Sequence, residues 1–234
     1  MKRLRKLGLI GGMGPESTIP YYHDIVYGVR DRLDNGDFPN IIIESVNVFN
    51  VLRLCSEEKY DELTDYLMCA INNLVSGGAD FVAMSANTPH IVFDRLEKKS
   101  PVPIISIVQS SCDYAKSKGL KRLALLGTLF TMNGNFFKQP FLDNDIEILI
   151  PNNYEMDLIN ERISNELELG IVKESTLSEF TDIIHRMKDE QGIQSVILGC
   201  TELPLLLNDS VSPVPCLDTM KIHIDVIINE IMKD

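Results

Sequence analysis

Tryptophan is missing from this 234-residue chain, and so is any apolar run close to the ~18 residues that span a bilayer. No membrane partner is expected. Positive charge is scarce: 22 Lys and Arg against 34 Asp and Glu leave a net charge of −12. A phosphate backbone needs a basic face, so nucleic acid is excluded as a partner. A small ligand is not constrained in this way, because a site can be locally positive on an acidic protein. Cysteine occurs five times (Cys55, Cys69, Cys112, Cys200, Cys216), an odd number with no CxxC and no close Cys/His pair. No metal site is expected, and reduced thiols in the cytoplasm are the default reading. The start, Met1 to Gly8, is basic and then apolar, but only Leu7 to Ile10 precede Gly11-Gly12. That is too short for the apolar core of a secretion signal, so the segment reads as a solvated tail leading into a strand.

The stretch Gly11-Gly-Met-Gly-Pro15-Glu-Ser-Thr18 lacks the GxGxxG spacing, because Pro15 comes directly after Gly14, and it lacks the Gly-Lys-Ser/Thr of a Walker loop. No nucleotide cofactor is expected. Its glycines can still bring backbone N–H groups to an anion at a helix start, and a plain tight turn would look the same.

The chain does carry a regular alternation of short apolar runs with amphipathic segments, the pattern of βαβ units around a parallel sheet. Strands are expected at Lys6–Ile10, Ile41–Val46, Phe81–Met84 and Val102–Ile105, and again at Arg122–Leu126, Ile146–Ile150, Gln194–Leu198 and Val214–Leu217. Asn47 to Glu58 reads as a loop, and Met156 to Leu169 as one continuous helix. The scheme restarts midway. Gly11 and Gly127 come after first strands 127 − 11 = 116 residues apart, and Ala86 and Cys200 after later strands 200 − 86 = 114 apart. Near-equal offsets predict two related α/β lobes facing each other across a cleft lined by strand carboxyl ends.

Two stretches carry the chemistry. Ser195-Val-Ile-Leu-Gly-Cys200-Thr-Glu-Leu-Pro204 is an apolar run that delivers a thiol, a hydroxyl and a carboxylate. Asp80-Phe-Val-Ala-Met-Ser85-Ala86-Asn87-Thr88-Pro-His90 has the same shape, with Ala86 where the first has Cys200. A thiol ahead of a helix N-terminus is expected to be acidified into a usable thiolate, whereas an inert buried cysteine is a small hydrophobe. Asn87, Thr88, Thr128, Thr131 and Thr201 place amide and hydroxyl groups just past strands, where they either bind a carboxylate or cap helices. His90 and His223 lie near presumed site loops, and His23 and His185 lie inside helices.

These motifs together resemble the aspartate/glutamate racemase family of cofactor-independent amino-acid racemases. The residues that carry the resemblance are Gly11 to Thr18, Asn87-Thr88-Pro-His90, Leu126-Gly-Thr128 with Thr131-Met132, Gly199-Cys-Thr-Glu202, and Leu217-Asp-Thr219 with His223. The resemblance implies two pseudo-symmetric parallel-sheet α/β lobes with the active site in the cleft between them. Lobe one would be residues 1–106 plus 217–234 and lobe two residues 107–216. It also implies no cofactor, a small amino-acid or carboxylic-acid substrate, and a homodimer. Two cysteines would flank the substrate α-carbon, one thiolate taking the proton and the opposite thiol returning one. Cys200 matches one of them, and position 86 the other. Met13 through nearby backbone amides, with Asn87, Thr88, Thr128, Thr131 and Thr201, would hold the substrate carboxylate. Arg53, in the expected loop after strand two, is a candidate for gripping a side-chain carboxylate, and Glu202 stands beside the thiol.

Ala86 departs from the two-thiol pattern, and a methyl group cannot move a proton. Four readings are open: a racemase in which Ser85, His90 or water serves the second face; a racemase with impaired or one-directional turnover; a one-acid reaction such as that of arylmalonate decarboxylase, from the same superfamily; or a carboxylate-binding relative without catalysis. An introduced substitution at position 86 is a further explanation.

Overall fold

The computed structural model describes residues 3–34 and 36–233. Met1 and Lys2 of the expected tail lie outside the described residues, and Arg3 is exposed. Among the described residues, eight parallel strands form two four-stranded sheets. The first sheet holds β1 (Leu7–Gly11), β2 (Ile41–Ser45), β3 (Phe81–Met84) and β4 (Ile104–Ile105), in spatial order β2-β1-β3-β4. The second holds β5 (Arg122–Leu126), β6 (Glu147–Leu149), β7 (Ser195–Leu198) and β8 (Cys216–Asp218), in order β6-β5-β7-β8. The two orders are the same once β1 is matched to β5.

The internal repeat extends to hydrogen-bond register. Leu7 pairs with Phe81 in the first sheet and Leu123 with Ser195 in the second, offsets of 123 − 7 = 116 and 195 − 81 = 114. Ser85 N–H donates to Ile10 O at 3.0 Å, as Gly199 N–H donates to Leu126 O at 2.7 Å. Val82 N–H donates to Pro103 O at 2.9 Å, as Val196 N–H donates to Pro215 O at 3.0 Å. Ala86 and Cys200 therefore hold the same backbone position in their respective sheets, one residue past Ser85 and Gly199.

Burial explains why these runs become strands. β3 and β7 are buried along their full length, as central parallel strands covered on both faces must be. Helices supply the cover. In α3 (Tyr60–Ser76), Leu63, Leu67, Ala70, Ile71 and Leu74 are buried at helical spacing. In the second unit, Ala124, Leu126, Val196 and Leu198 join Ile159, Ile163, Phe180, Ile184 and Met187 in one apolar cluster. The last five come from α8 (Asn153–Asn165) and α9 (Glu174–Gln191). The remaining helices are α1 (Pro15–Arg30), α2 (Val48–Ser56), α4 (Phe93–Lys99), α5 (Ile107–Ser117), α6 (Leu129–Asn133), α7 (Asn135–Leu142) and α10 (Thr219–Ile231).

Three expectations need correction. Asn47 to Glu58 is not a loop: Asn47 caps α2 by accepting from Phe49 N–H at 2.9 Å, and Val51, Leu54 and Cys55 face inward. Met156 to Leu169 is not one helix: α8 stops at Asn165, and Leu167–Leu169 forms a separate 3-10 turn ended by Gly170 at φ 70°. The chain also returns to its first unit later than residue 217. The compact units are Met1–Ile107 with His223–Asp234, and Val108–Ile222. Leu217 belongs to the second because β8 pairs with β7, Leu217 opposite Ile197.

Gly199 shows how tightly β7 is finished. A Cβ there would stand 2.8 Å from Leu126 O and 2.8 Å from Leu125 Cδ1. Leu126 O cannot yield, since it accepts the Gly199 N–H. Gly199→Ala is expected to cost about 1–3 kcal/mol. Chemical denaturation measures this, and an unchanged midpoint would refute the packing argument.

Candidate active site

In the second unit, Gly199 and then Cys200 come immediately after β7. The carbonyl of Leu198 accepts from Thr219 Oγ1 at 2.9 Å, which fixes the strand end. The Cys200 thiol donates to Glu202 Oε2 at 2.8 Å, and Thr201 Oγ1 donates to the same oxygen at 3.0 Å. Burial, and after it the charge and hydrogen bond of Glu202, push the thiol well above its ordinary range. This reverses the expected acidification. The chain beyond Cys200 forms a single 3-10 turn, Leu203–Leu205, too short to offer a helix dipole, and the thiol's charged partner is negative. At neutral pH the thiol keeps its proton.

Thr128 caps α6 on the neighbouring strand end. Its Oγ1 accepts from Thr131 N–H at 3.4 Å and lies 3.3 Å from Thr131 Oγ1. Thr131 is buried, and its side chain would touch a Cβ built on either Gly127 or Gly199, at 3.3 Å in both cases. The second unit thus gathers Thr128, Thr131, Cys200, Thr201 and Glu202 at the carboxyl ends of β5 and β7. Sequence reasoning missed Glu168, on the 3-10 turn after α8. Glu168 is an exposed residue, yet protein around its carboxyl, and then the charge of Glu202, raise it. The sequence carried no signal for it, since the apolar spacing of Met156, Ile159, Ile163 and Leu167 continues through Glu166.

In the first unit, Gly12 sits at φ 80°, with Val46 O occupying the space a Cβ would need, so only glycine fits there. Gly12 N–H donates to Thr18 Oγ1 at 2.9 Å. Met13 is buried just before Gly14, which precedes α1 without a side-chain cap. Ser85 is fully buried, its Oγ 3.4 Å from Thr18 Oγ1. Asn87 is buried, Thr88 opens the 3-10 turn Thr88–Val92, and Ala86 precedes both.

His90 is committed elsewhere. The backbone N–H of Ile107 donates to its Nε2 at 3.2 Å, so the proton sits on Nδ1, which donates to Ala86 O at 3.0 Å. Burial lowers this imidazole to about 4. His223 is held similarly: Nε2–H donates to Ile105 O at 3.0 Å and Nδ1 accepts from Tyr21 OH at 2.7 Å. Burial lowers it to about 3. Both are neutral struts, which argues against His90 as an acid/base. Arg53 is not on a loop either; it lies on α2, and its guanidinium pairs with Glu57 at 3.0 Å.

Comparison with known proteins places this geometry. The model of the Asp/Glu/Hydantoin racemase family matches residues 10–227, and the chain belongs to that family. A broad specificity amino-acid racemase, RacX of Bacillus subtilis, is 22% identical over 91% of this chain and 92% of its own length. The crystal structure of a candidate Asp/Glu racemase from Yersinia pestis superposes with a TM-score of 0.92 at 32% identity, covering 98% of this chain and all of that one. PH1733, an aspartate racemase homologue from Pyrococcus horikoshii, gives 0.87 at 31% identity, with the same coverages of 98% and 100%.

Proposed function

We propose that this chain is a cofactor-independent amino-acid racemase of the aspartate/glutamate type in which Cys200 is the acid/base at the α-carbon. The observation that carries the reading is the Cys200 thiol hydrogen-bonded to Glu202 at 2.8 Å, with the Thr201 hydroxyl on the same carboxylate oxygen, in a chain of the racemase family. Asn87, Thr88, Thr128, Thr131, Thr201 and the amides near Met13 hold the carboxylate. Their donors stabilise the enolate-like charge that forms when the α-proton leaves. Cys200 rests as a thiol, so in that form it can donate a proton only after a base on the opposite face has taken the α-proton. To act as a base it passes its proton to Glu202. Homodimers in the cytoplasm belong to the same reading, and light scattering at twice the chain mass checks the dimer.

The family resemblance gives the opposite face to position 86, and the equivalent backbone positions of Ala86 and Cys200 in their own sheets support that reading. Ala86 has no transferable proton, His90 has both ring nitrogens occupied, and Ser85 is turned to Thr18. Water serves that face. Incubation in D₂O with L-aspartate, L-glutamate and a panel of other amino acids should wash deuterium into the α-position. No exchange with any of them refutes the racemase reading. Ala86→Cys should raise racemisation about tenfold or more by supplying a second acid/base. An unchanged rate in folded protein counts against the pairing.

A second reading rests on the resting thiol and the inert Ala86. One acid suffices to protonate an enolate after a dicarboxylic acid loses CO₂. The C–C bond electrons stay on the α-carbon, the thiol gives its proton, and water reprotonates the thiolate. CO₂ release from substituted malonates, without amino-acid exchange, would decide for it.

A further inference from the structure

The hydroxyl of Thr18, near the start of α1, joins three stretches of the first unit. It accepts from the Gly12 N–H at 2.9 Å and donates to the Gly14 carbonyl at 3.2 Å. Its one proton lies on that second bond, so the buried Ser85 hydroxyl, 3.4 Å away, is the donor of the remaining contact. Gly12 and Gly14 flank Met13, and Ser85 precedes Ala86. One side chain thus links the loop after β1, the start of α1 and the loop after β3. The Thr18 methyl closes the join, since a Cβ on Gly11 would stand 2.6 Å from it. The second unit has a matching piece. Thr131 lies against Gly127 and Gly199, and a Cβ on either would meet its side chain at 3.3 Å. Gly11 follows Ile10, whose carbonyl accepts the Ser85 N–H; Gly127 follows Leu126, whose carbonyl accepts the Gly199 N–H. Both threonines fill the corner between the first and third strand ends of their own sheets. Sequence spacing hid the pair, because Thr18 follows Gly11 by 18 − 11 = 7 residues and Thr131 follows Gly127 by 131 − 127 = 4.

We propose, resting on the racemase reading, that Thr18 is a positioning residue of the site. Its hydroxyl holds the backbone amides near Met13, which grip the substrate carboxylate, in fixed relation to the chain at position 86. It touches neither the substrate nor the proton in transfer. Without the hydroxyl, the Gly12 N–H and the Ser85 hydroxyl lose their shared acceptor, and the two loops lose their common anchor. The methyl contact with Gly11 is a separate, purely packing role, so the two parts of the side chain can be tested apart.

The test is α-deuterium exchange with the amino acid that the unaltered protein exchanges fastest. Thr18→Val keeps the shape and removes the hydroxyl; it should lower kcat/KM by about tenfold or more, mostly through KM. Thr18→Ser keeps the hydroxyl and removes the methyl; it should stay within about threefold of the original. An unchanged kcat/KM in folded Thr18→Val overturns the proposal and leaves the racemase reading standing. A loss in Thr18→Ser as large as that in Thr18→Val also overturns it, because packing alone would then explain both. If Thr18→Val does not fold, Ser85→Ala decides: it removes one of the three contacts and should lower kcat/KM about threefold, and no change overturns the proposal. If the unaltered protein exchanges no amino acid, the racemase reading fails and amide NMR decides the link by itself. Thr18→Val should then shift the Gly12, Met13 and Ala86 amide resonances together, and by more than Thr18→Ser does. Shifts confined to one of the two loops overturn it.

Discussion

Cys200→Ser is expected to lower α-deuterium exchange by about a thousandfold while leaving amino-acid binding within a few-fold. The hydroxyl replaces the thiol beside Glu202, so the hydrogen bond can survive and the loop after β7 keeps its shape. The variant loses a group acidic enough to exchange a proton with carbon. A purely binding protein would show unchanged ligand affinity and no activity to lose. Exchange that persists within tenfold of the original rate would remove Cys200 from the mechanism. Alkylation gives an independent readout. Only the thiolate reacts with iodoacetamide, and burial and Glu202 hold Cys200 in the thiol form. Labelling should be slow at pH 7.5 and rise with pH. Glu202→Gln removes a negative charge beside the sulfur and should speed labelling at the same pH. No acceleration would refute the electrostatic role given to Glu202.

The repeat was legible in sequence because strand carboxyl ends leave a recognisable trace. Gly11 and Gly127, and Ala86 and Cys200, sit at offsets that the hydrogen-bond registers reproduce. α2 was not legible: its exposed face carries Phe49 and Leu52, which blur the apolar stripe of Val51, Leu54 and Cys55. The sign of the Cys200 shift was also hidden. Sequence shows a carboxylate two residues away, but not that backbone geometry turns it onto the sulfur in place of a helix N-terminus. His90 looked like a site residue because it comes after the Asn87-Thr88 pair. Its true partners, Ala86 O and Ile107 N–H, include one seventeen residues away.

Acidification from pH 7.5 to 5 is expected to cost about 4 kcal/mol of folding stability, nearly all of it through His90 and His223. Each imidazole has both nitrogens engaged, one as donor and one as acceptor, so a second proton would break a bond and place a buried charge. The folded-state values, about 4 and about 3, lie below the ordinary 6.5 of an unfolded histidine. Between these limits the unfolded chain binds more protons than the folded one. Stability is therefore complete above pH 6.5 and is lost as pH falls through the window below it. Over the 1.5 pH units to pH 5 each histidine contributes about 2 kcal/mol, at about 1.36 kcal/mol per unit. Stopping at pH 5 keeps most carboxylate titration out of the measurement. Urea midpoints at the two pH values give the cost, and imidazole ¹⁵N shifts should show both rings neutral throughout. A flat stability profile, or a buried histidine titrating near 6.5 in the folded protein, would refute the assignment. Because His90 Nε2 accepts the Ile107 N–H, its protonation would break that bond and release the chain just after β4, while Nδ1–H still donates to Ala86 O.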